Sequence, residues 1–119
     1  MTIHIDPHAL QAISSLQRPG KPDLLTRIVE LFKSESPESI SALQLGLDSA
    51  DLQAVGAAAH CMKSSSAYLG ARLLSERFQD IENAAHENDL SACRVLGGGV
   101  DALYEASIEE LDNHVSAFV

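Results

Sequence analysis

Apolar residues recur at steps of three and four along nearly the whole chain, and no segment shows the strict alternation typical of a half-buried strand. The first helical segment begins at 6-DPHALQAISSL-16, because Asp6 can cap a helix and Pro7 suits the first helical position. The turn 18-RPGKP-22 ends this segment, and a second helix opens at Pro22-Asp23. Its predicted inner face carries Leu24, Ile28, Leu31 and Phe32.

Pro37 interrupts this second pattern, because a proline inside a helix loses one hydrogen bond and clashes with the preceding turn. The apolar spacing resumes at Ile40, Leu43 and Leu47. The pattern therefore predicts either one kinked helix or two abutting helices, and it does not choose between them.

The remaining helices follow from the same spacing. Asp51 can cap a third helix that Gly70 ends, and a fourth is predicted at about 71–88. A last helical pattern runs from Cys93 to the C-terminus, with the glycines 97–99 inside it. Three helix-interior glycines cost about 3 kcal/mol relative to alanine, so we expect a bend or a local break there, without a function of its own.

These segments together predict an all-α fold, an antiparallel four-helix bundle with an additional short N-terminal helix. A chain of 119 residues is the size of one domain, so residues 1–119 are expected to form a single unit.

One histidine of the third helix points away from the predicted core. At 100° per residue, His60 lies about 130° from the centre of the apolar stripe, so its ring should be exposed. Ser64 and Ala67 share this outer face, and Gly56 lies at its edge. Such small neighbours would let a second macromolecule approach the imidazole closely. Lys63 follows three residues later and can reach a group bonded to the ring.

The composition limits the possible partners and the location. The net charge is −9, which argues against nucleic acid and anionic membranes as partners. The segment 1-MTIHIDPHAL-10 has no signal-peptide features, and no apolar run reaches the roughly 18 residues of a membrane span. We therefore expect a cytoplasmic protein, in which Cys61 and Cys93 are reduced and behave as small buried hydrophobes.

The chemistry that these residues support is narrow. A neutral imidazole is a good nucleophile near pH 7, and a nearby ammonium would partly offset the charge of a phosphoryl group on it. The sequence shows no glycine-rich phosphate loop and no acid–base dyad. A histidine that accepts a group and hands it on fits this pattern. A solvated helix residue without a function fits the periodicity equally well.

The run 60-HCMKSSSAYLGA-71 resembles the signature of histidine-containing phosphotransfer (HPt) domains, whose commonest form is H-x-L-K-G-S-S-x-x-L-G-A. The segments 50-ADLQAVGAAAH-60 and 73-LLSERFQDIE-82 are similar to the flanking regions of that family. Ser64 stands where glycine is usual and Met62 where leucine is usual. Both are small changes, since serine is still compact and a core tolerates methionine for leucine.

The resemblance implies a residue-by-residue site. His60 would accept the phosphoryl group, Lys63 would be the cation beside it, Ser64 would leave room for the partner and Gly70 would end the helix. Glu82 would lie near the histidine on the next helix. With Gly56 and Ala67 from the helical pattern, Ser64, Gly70 and Glu82 complete the expected partner-binding set.

The family also implies the function. Such domains carry phosphoryl groups between aspartates of receiver domains, those of hybrid sensor kinases and of response regulators, in multistep phosphorelays. This chain would then be a monomeric carrier and not an enzyme, and it would bind no metal or cofactor, because the receiver supplies Mg²⁺. The alternative is a helical adaptor that docks a receiver or kinase domain without moving phosphate. A metal-binding bundle is a third reading, without ligand spacing to support it.

Two further residues have open roles. His86 ends the fourth helix, where a histidine is favourable, and the alternative is a role near the phosphate. Ser66 faces the core and is expected to hydrogen-bond back to its own helix.

Overall fold

A computed structural model of the chain describes residues 3–16 and 23–118, and every regular element in these ranges is an α-helix. In chain order the helices are α1 Pro7–Ser14, α2 Leu24–Asp48, α3 Leu52–Tyr68, α4 Arg72–His86, α5 Leu90–Gly97 and α6 Val100–Phe118. The arms of the bundle are α2, α3, α4 and the α5–α6 pair, and α1 is the additional N-terminal helix. The predicted fold class is confirmed. The predicted turn at 18–22 lies outside the described residues.

Aspartate side chains fix where four of the helices begin. Asp6 accepts a hydrogen bond from the backbone N–H of His8, and Asp23, Asp51 and Asp89 do the same at α2, α3 and α5. Each aspartate satisfies a backbone donor that has no partner inside its helix. The helix starts predicted at Asp6, Asp23 and Asp51 are therefore confirmed.

Pro37 lies inside α2 without dividing it, since α2 is one helix of 25 residues. Pro37 and Lys33 are both exposed, so water can solvate the carbonyl of Lys33 that has lost its N–H partner. The preceding Ser36 is buried, and its hydroxyl donates a hydrogen bond to the carbonyl of Phe32. Of the two alternatives that the sequence leaves open, two abutting helices are excluded.

The core collects apolar residues from all six helices and from the segment before α1. Its largest fully buried side chains are Phe78, Ile5, Leu10, Leu25, Leu43, Met62, Leu69, Leu74, Ile81, Leu111, Val55 and Val100. On α2 the buried stripe is Leu25, Val29 and Phe32. Leu31 was expected to be buried as well, but it is 57% exposed, because it precedes Phe32 by about 100° of helix rotation. That expectation is wrong.

The three glycines end one helix before the next begins, since α5 ends at Gly97 and α6 begins at Val100. The predicted local break is confirmed. A Cβ atom at Gly97 would lie 2.5 Å from Leu47 Cδ1, so this glycine lets α5 approach the end of α2 closely. Arginines satisfy carbonyl groups around the break: Arg94 donates to the carbonyl of Leu47, and Arg77 donates to that of Leu96.

The bundle places α3 between α2 and α4, and α3·α4 is its most extensive helix pair. One side of α3 is therefore covered by α2 and another by α4, which leaves a narrow outer strip. No helix in the described part of the chain is long and apolar enough to cross a membrane.

Candidate functional site around His60

The site is built on α3, whose inward-facing residues leave His60 on the outside. Val55, Ala59, Met62 and Ser66 are buried at steps of three and four, whereas the side chain of His60 is 63% exposed. The predicted exposure of His60 is confirmed. Its helix is held at both ends, by the Asp51 cap and by Gly70, which adopts a φ of +77° that favours glycine. The ring therefore stands on a fixed element and not on a loop.

A carboxylate from α4 holds the imidazole from behind. His60 Nδ1 lies 2.8 Å from Oε2 of Glu82, and the side chain of Glu82 is only 10% exposed. Because an ionised carboxylate only accepts hydrogen bonds, Nδ1 must carry the proton and donate it. Nε2 is then the nitrogen with a free lone pair, which is the nucleophilic position of a neutral imidazole.

The same carboxylate binds the ammonium group one turn along α3. Lys63 Nζ lies 2.8 Å from Oε1 of Glu82, so each carboxylate oxygen has one partner. The hydrogen bond from Lys63, supported by that from His60, holds the pKa of Glu82 below its usual value although burial acts to raise it. Glu82 is therefore ionised at neutral pH. Since both nitrogen atoms bind one carboxylate, the ammonium lies beside the imidazole.

Small residues surround the ring on the outer strip. Ser64 and Ala67 are exposed, as predicted. The hydroxyl of Ser64 folds back onto the carbonyl of His60 at 3.3 Å, which keeps this side chain close to the helix. Ser75 of α4 donates a hydrogen bond to the carbonyl of Lys63 at 3.0 Å and so ties α4 to α3 just beyond the site. Helical spacing does not reveal Ser75, because the contact depends on how two helices pack.

Three residues of the expected partner-binding set are buried. Gly56 is buried against Ala85 and His86, because α4 covers this edge of α3. Gly70 is also buried, since the segment before α1 closes over it and the N–H of Asp6 donates to its carbonyl at 2.7 Å. Glu82 is 8% exposed and binds His60 and Lys63. Gly56, which the helical pattern placed at the edge of the exposed face, is therefore covered by α4. Gly70 follows the end of α3, as expected, and Glu82 lies beside the histidine, as expected, and supports the ring from inside. A contact of these residues with a partner stays a prediction.

Two other expectations about α3 need correction. Ser66 is fully buried, but its hydroxyl makes no hydrogen bond within the described residues, while Ser64 and Ser65 make the bond to the preceding turn. Cys61 is exposed, and only Cys93 is buried; both are free thiols. The expectation for Cys61 came from the usual burial of free cysteines, but here an open groove of about 150 Å³ lies beside it, and the lining of this groove includes Leu31 and Tyr68.

Metal ligands are not gathered near the site. Within residues 3–16 and 23–118, no group of three or more histidine, cysteine, aspartate or glutamate side chains could hold a metal ion. The arrangement offers a nucleophilic nitrogen, a carboxylate that fixes it and an adjacent ammonium.

Comparison with known proteins places the chain in a family. The model of the Hpt domain matches residues 27–115, and a comparison with curated proteins finds no match. Two crystal structures have the same fold. The histidine-containing phosphotransfer protein B (HptB) of Pseudomonas aeruginosa PAO1 is 21% identical, with 95% of each chain covered and a TM-score of 0.85. The histidine-containing phosphotransfer protein ZmHP2 of maize is 22% identical, with 95% of this chain and 83% of the maize chain covered and a TM-score of 0.82. Since the family model spans most of the sequence, this chain belongs to the Hpt domain family, whose class of function is histidine phosphotransfer in phosphorelays.

Proposed function

We propose that this chain is a phosphocarrier whose His60 takes a phosphoryl group from an aspartate of one receiver domain and passes it to an aspartate of another. The donor would belong to a hybrid sensor kinase and the acceptor to a response regulator. The observation that carries the proposal is the exposed His60 ring, bound through Nδ1 to the buried carboxylate of Glu82.

The hydrogen bond defines which atom reacts. With its proton held on Nδ1, His60 attacks the phosphorus of the aspartyl phosphate through Nε2, and the P–O bond to the aspartate breaks with its electron pair on the carboxylate. The ring now carries a positive charge, which Glu82 stabilises at 2.8 Å. In the second half, the acceptor carboxylate attacks phosphorus, and the N–P electron pair returns to Nε2. No proton is gained or lost over the cycle.

The charge distribution on α3 suits an anionic group. The net charge of the chain is −9, yet Leu52–Tyr68 contains no aspartate or glutamate and one lysine, Lys63. A phosphoryl group on His60 therefore meets one nearby ammonium and no exposed carboxylate on its own helix. Two unit charges about 4 Å apart near a protein surface interact by about 4 kcal/mol. The absence of acidic residues on α3 therefore lowers the electrostatic repulsion of an anion that approaches His60.

The division of labour between the proteins follows from the site. The receiver would supply the reacting aspartate and the Mg²⁺ that neutralises the phosphoryl oxygens. This chain would contribute one fixed imidazole and an ammonium, and it would act as a cytoplasmic monomer without catalysis of its own. The small strip around His60 fits a transient complex and not a permanent one.

The direct test is transfer of labelled phosphoryl from phosphorylated receiver domains to the purified protein. Label stable in alkali and labile in acid should form on the wild type and disappear in His60→Gln. The matched control is His114→Gln, which replaces a histidine of α6. This variant should still take up the label. Label that persists in His60→Gln, or no label with any receiver of the source organism, would contradict the proposal. Receiver binding without label, unchanged in His60→Gln, would select the adaptor function instead.

A further inference from the structure

His86 lies on the same side of the α3–α4 pair as His60. It is the last residue of α4, four residues after Glu82, and both residues therefore lie on one face of α4. A Cβ atom built on Gly56 would lie 4.0 Å from His86 Cδ2, so the second imidazole packs beside Gly56. Gly56 precedes His60 by four residues, which is about 6 Å along α3. His86 therefore lies beside a position about one helical turn from His60 along α3.

The ring of His86 is exposed. Across the described ranges, its side chain makes no hydrogen bond or ion pair. The cationic residues nearby in sequence are engaged, since Arg77 binds the carbonyl of Leu96 and Arg94 binds that of Leu47. Both nitrogen atoms of the His86 imidazole are therefore available for hydrogen bonds to a partner protein.

The area that a docked receiver domain covers around His60 is large enough to include His86. A transient interface covers about 600 Å² on each partner, which corresponds to a disc with a radius of about 14 Å. A receiver whose aspartate reaches His60 must lie over the residues within one turn of it, and His86 is at this distance. Gly56 beneath the ring has no side chain that would lift it away from α3.

We infer that His86 is a recognition contact for the receiver domain, and that it acts on the affinity of docking and not on the phosphoryl transfer itself. The inference rests on the proposed function, because it takes a receiver as the partner over His60. His86 donates or accepts one hydrogen bond at the edge of the interface, while Glu82 and Lys63 serve the reacting ring. It thereby extends the docking surface from α3 onto the C-terminal end of α4.

The test separates docking from chemistry in His86→Ala. Transfer from a phosphorylated receiver should show a KM or Kd raised about three- to tenfold, the effect of one interfacial hydrogen bond, with an unchanged kcat. Phosphorylation of His60 by phosphoramidate, a small donor that needs no docking, should proceed at the wild-type rate. His114→Ala on α6 is the matched control and should leave both reactions unchanged.

Three results would overturn the inference. An unchanged KM in His86→Ala would exclude a contact with the receiver. A slower phosphoramidate reaction would show that His86 acts on His60 and not on docking. If the wild type takes up no label from any receiver, the proposed function itself fails. The Kd of receiver binding then tests the contact alone, and equal Kd values for wild type and His86→Ala exclude it. Thermal melting of both variants confirms that they fold.

Discussion

Replacing Glu82 by glutamine tests the role of the buried carboxylate with the smallest change of shape. The amide oxygen can still accept the proton of His60 Nδ1, so the ring stays oriented, but the negative charge opposite the ring is lost. A hydrogen bond to a charged group stabilises by about 1.5–3 kcal/mol and a neutral one by about 0.5–1.5 kcal/mol. The two ranges differ by about 1–1.5 kcal/mol, and a loss of this size is expected because only the cationic ring gains the full attraction of a negative partner, so phosphoryl uptake should slow about five- to tenfold.

The assay is the rate of His60 phosphorylation by phosphoramidate and by a phosphorylated receiver. Both rates should fall by a similar factor in Glu82→Gln, because the change affects the ring and not docking. Glu76→Gln is the matched control, since Glu76 is an exposed glutamate of the same helix. A wild-type rate in Glu82→Gln, or an equal loss in Glu76→Gln, would show that the charge of Glu82 does not stabilise the cationic ring.

The same variant gives a stability signature. Hydrogen bonds from Lys63 and His60 lower the folded-state pKa of Glu82 below the unfolded value of about 4.5, so the folded state favours the charged carboxylate. This contribution is complete above the unfolded pKa and is lost as pH falls through the lowered folded pKa. Urea unfolding should therefore show wild type more stable than Glu82→Gln at pH 7, with the gap closing in acid below pH 4.5. A gap that does not change with pH would contradict the assigned ion pairs.

Three further predictions concern α3 and its neighbours. Gly56→Ala should raise the free energy of unfolding by up to about 1 kcal/mol, because the new Cβ lies 3.6 Å from Ala85 Cβ and alanine has the higher helix propensity. Gly46→Ala should lower the free energy of unfolding by about 1–3 kcal/mol, because its Cβ would lie 2.9 Å from Val55 Cγ2. Equal effects of the two substitutions in urea unfolding would contradict this packing. Ser66→Ala should stabilise the fold by about 1 kcal/mol, since it removes a buried hydroxyl without a partner; a loss of stability in the same assay would show that the hydroxyl is satisfied. In the native protein a maleimide should label the exposed Cys61 but not Cys93, because Cys93 is buried and burial raises the pKa of its thiol. Cys93 should react only on unfolding, and equal labelling rates of the two cysteines in the native protein would contradict these positions.

Helical periodicity predicts much of this fold because each helix buries one face. It predicts the bundle, the outward turn of His60 and the break at glycines 97–99, since these depend on spacing within one segment. It also explains the error at Leu31, where an apolar residue lies next to the buried stripe without being part of it. A residue at the edge of a stripe is buried only if a neighbouring helix reaches it.

The contacts between the site residues could be identified only from the tertiary structure. Glu82 and Lys63 lie 19 positions apart, and their contact follows from the way α4 lies along α3. The burial of Gly56 by α4 and of Gly70 by the segment before α1 has the same origin, because one helix's pattern does not say what covers its flanks. The resemblance placed Glu82 near the histidine, but only the packed helices show that one carboxylate binds both the imidazole and the ammonium.

The nitrogen atom of His60 that carries the phosphoryl group decides whether the bond to Glu82 sets the reactive position of the ring. Protein labelled with ¹⁵N in its histidines can be phosphorylated and studied by ¹⁵N and ³¹P NMR. We expect a proton on His60 Nδ1 before the reaction and a phosphorus–nitrogen coupling to His60 Nε2 after it. Phosphorylation on Nδ1, or on a histidine other than His60, would contradict it.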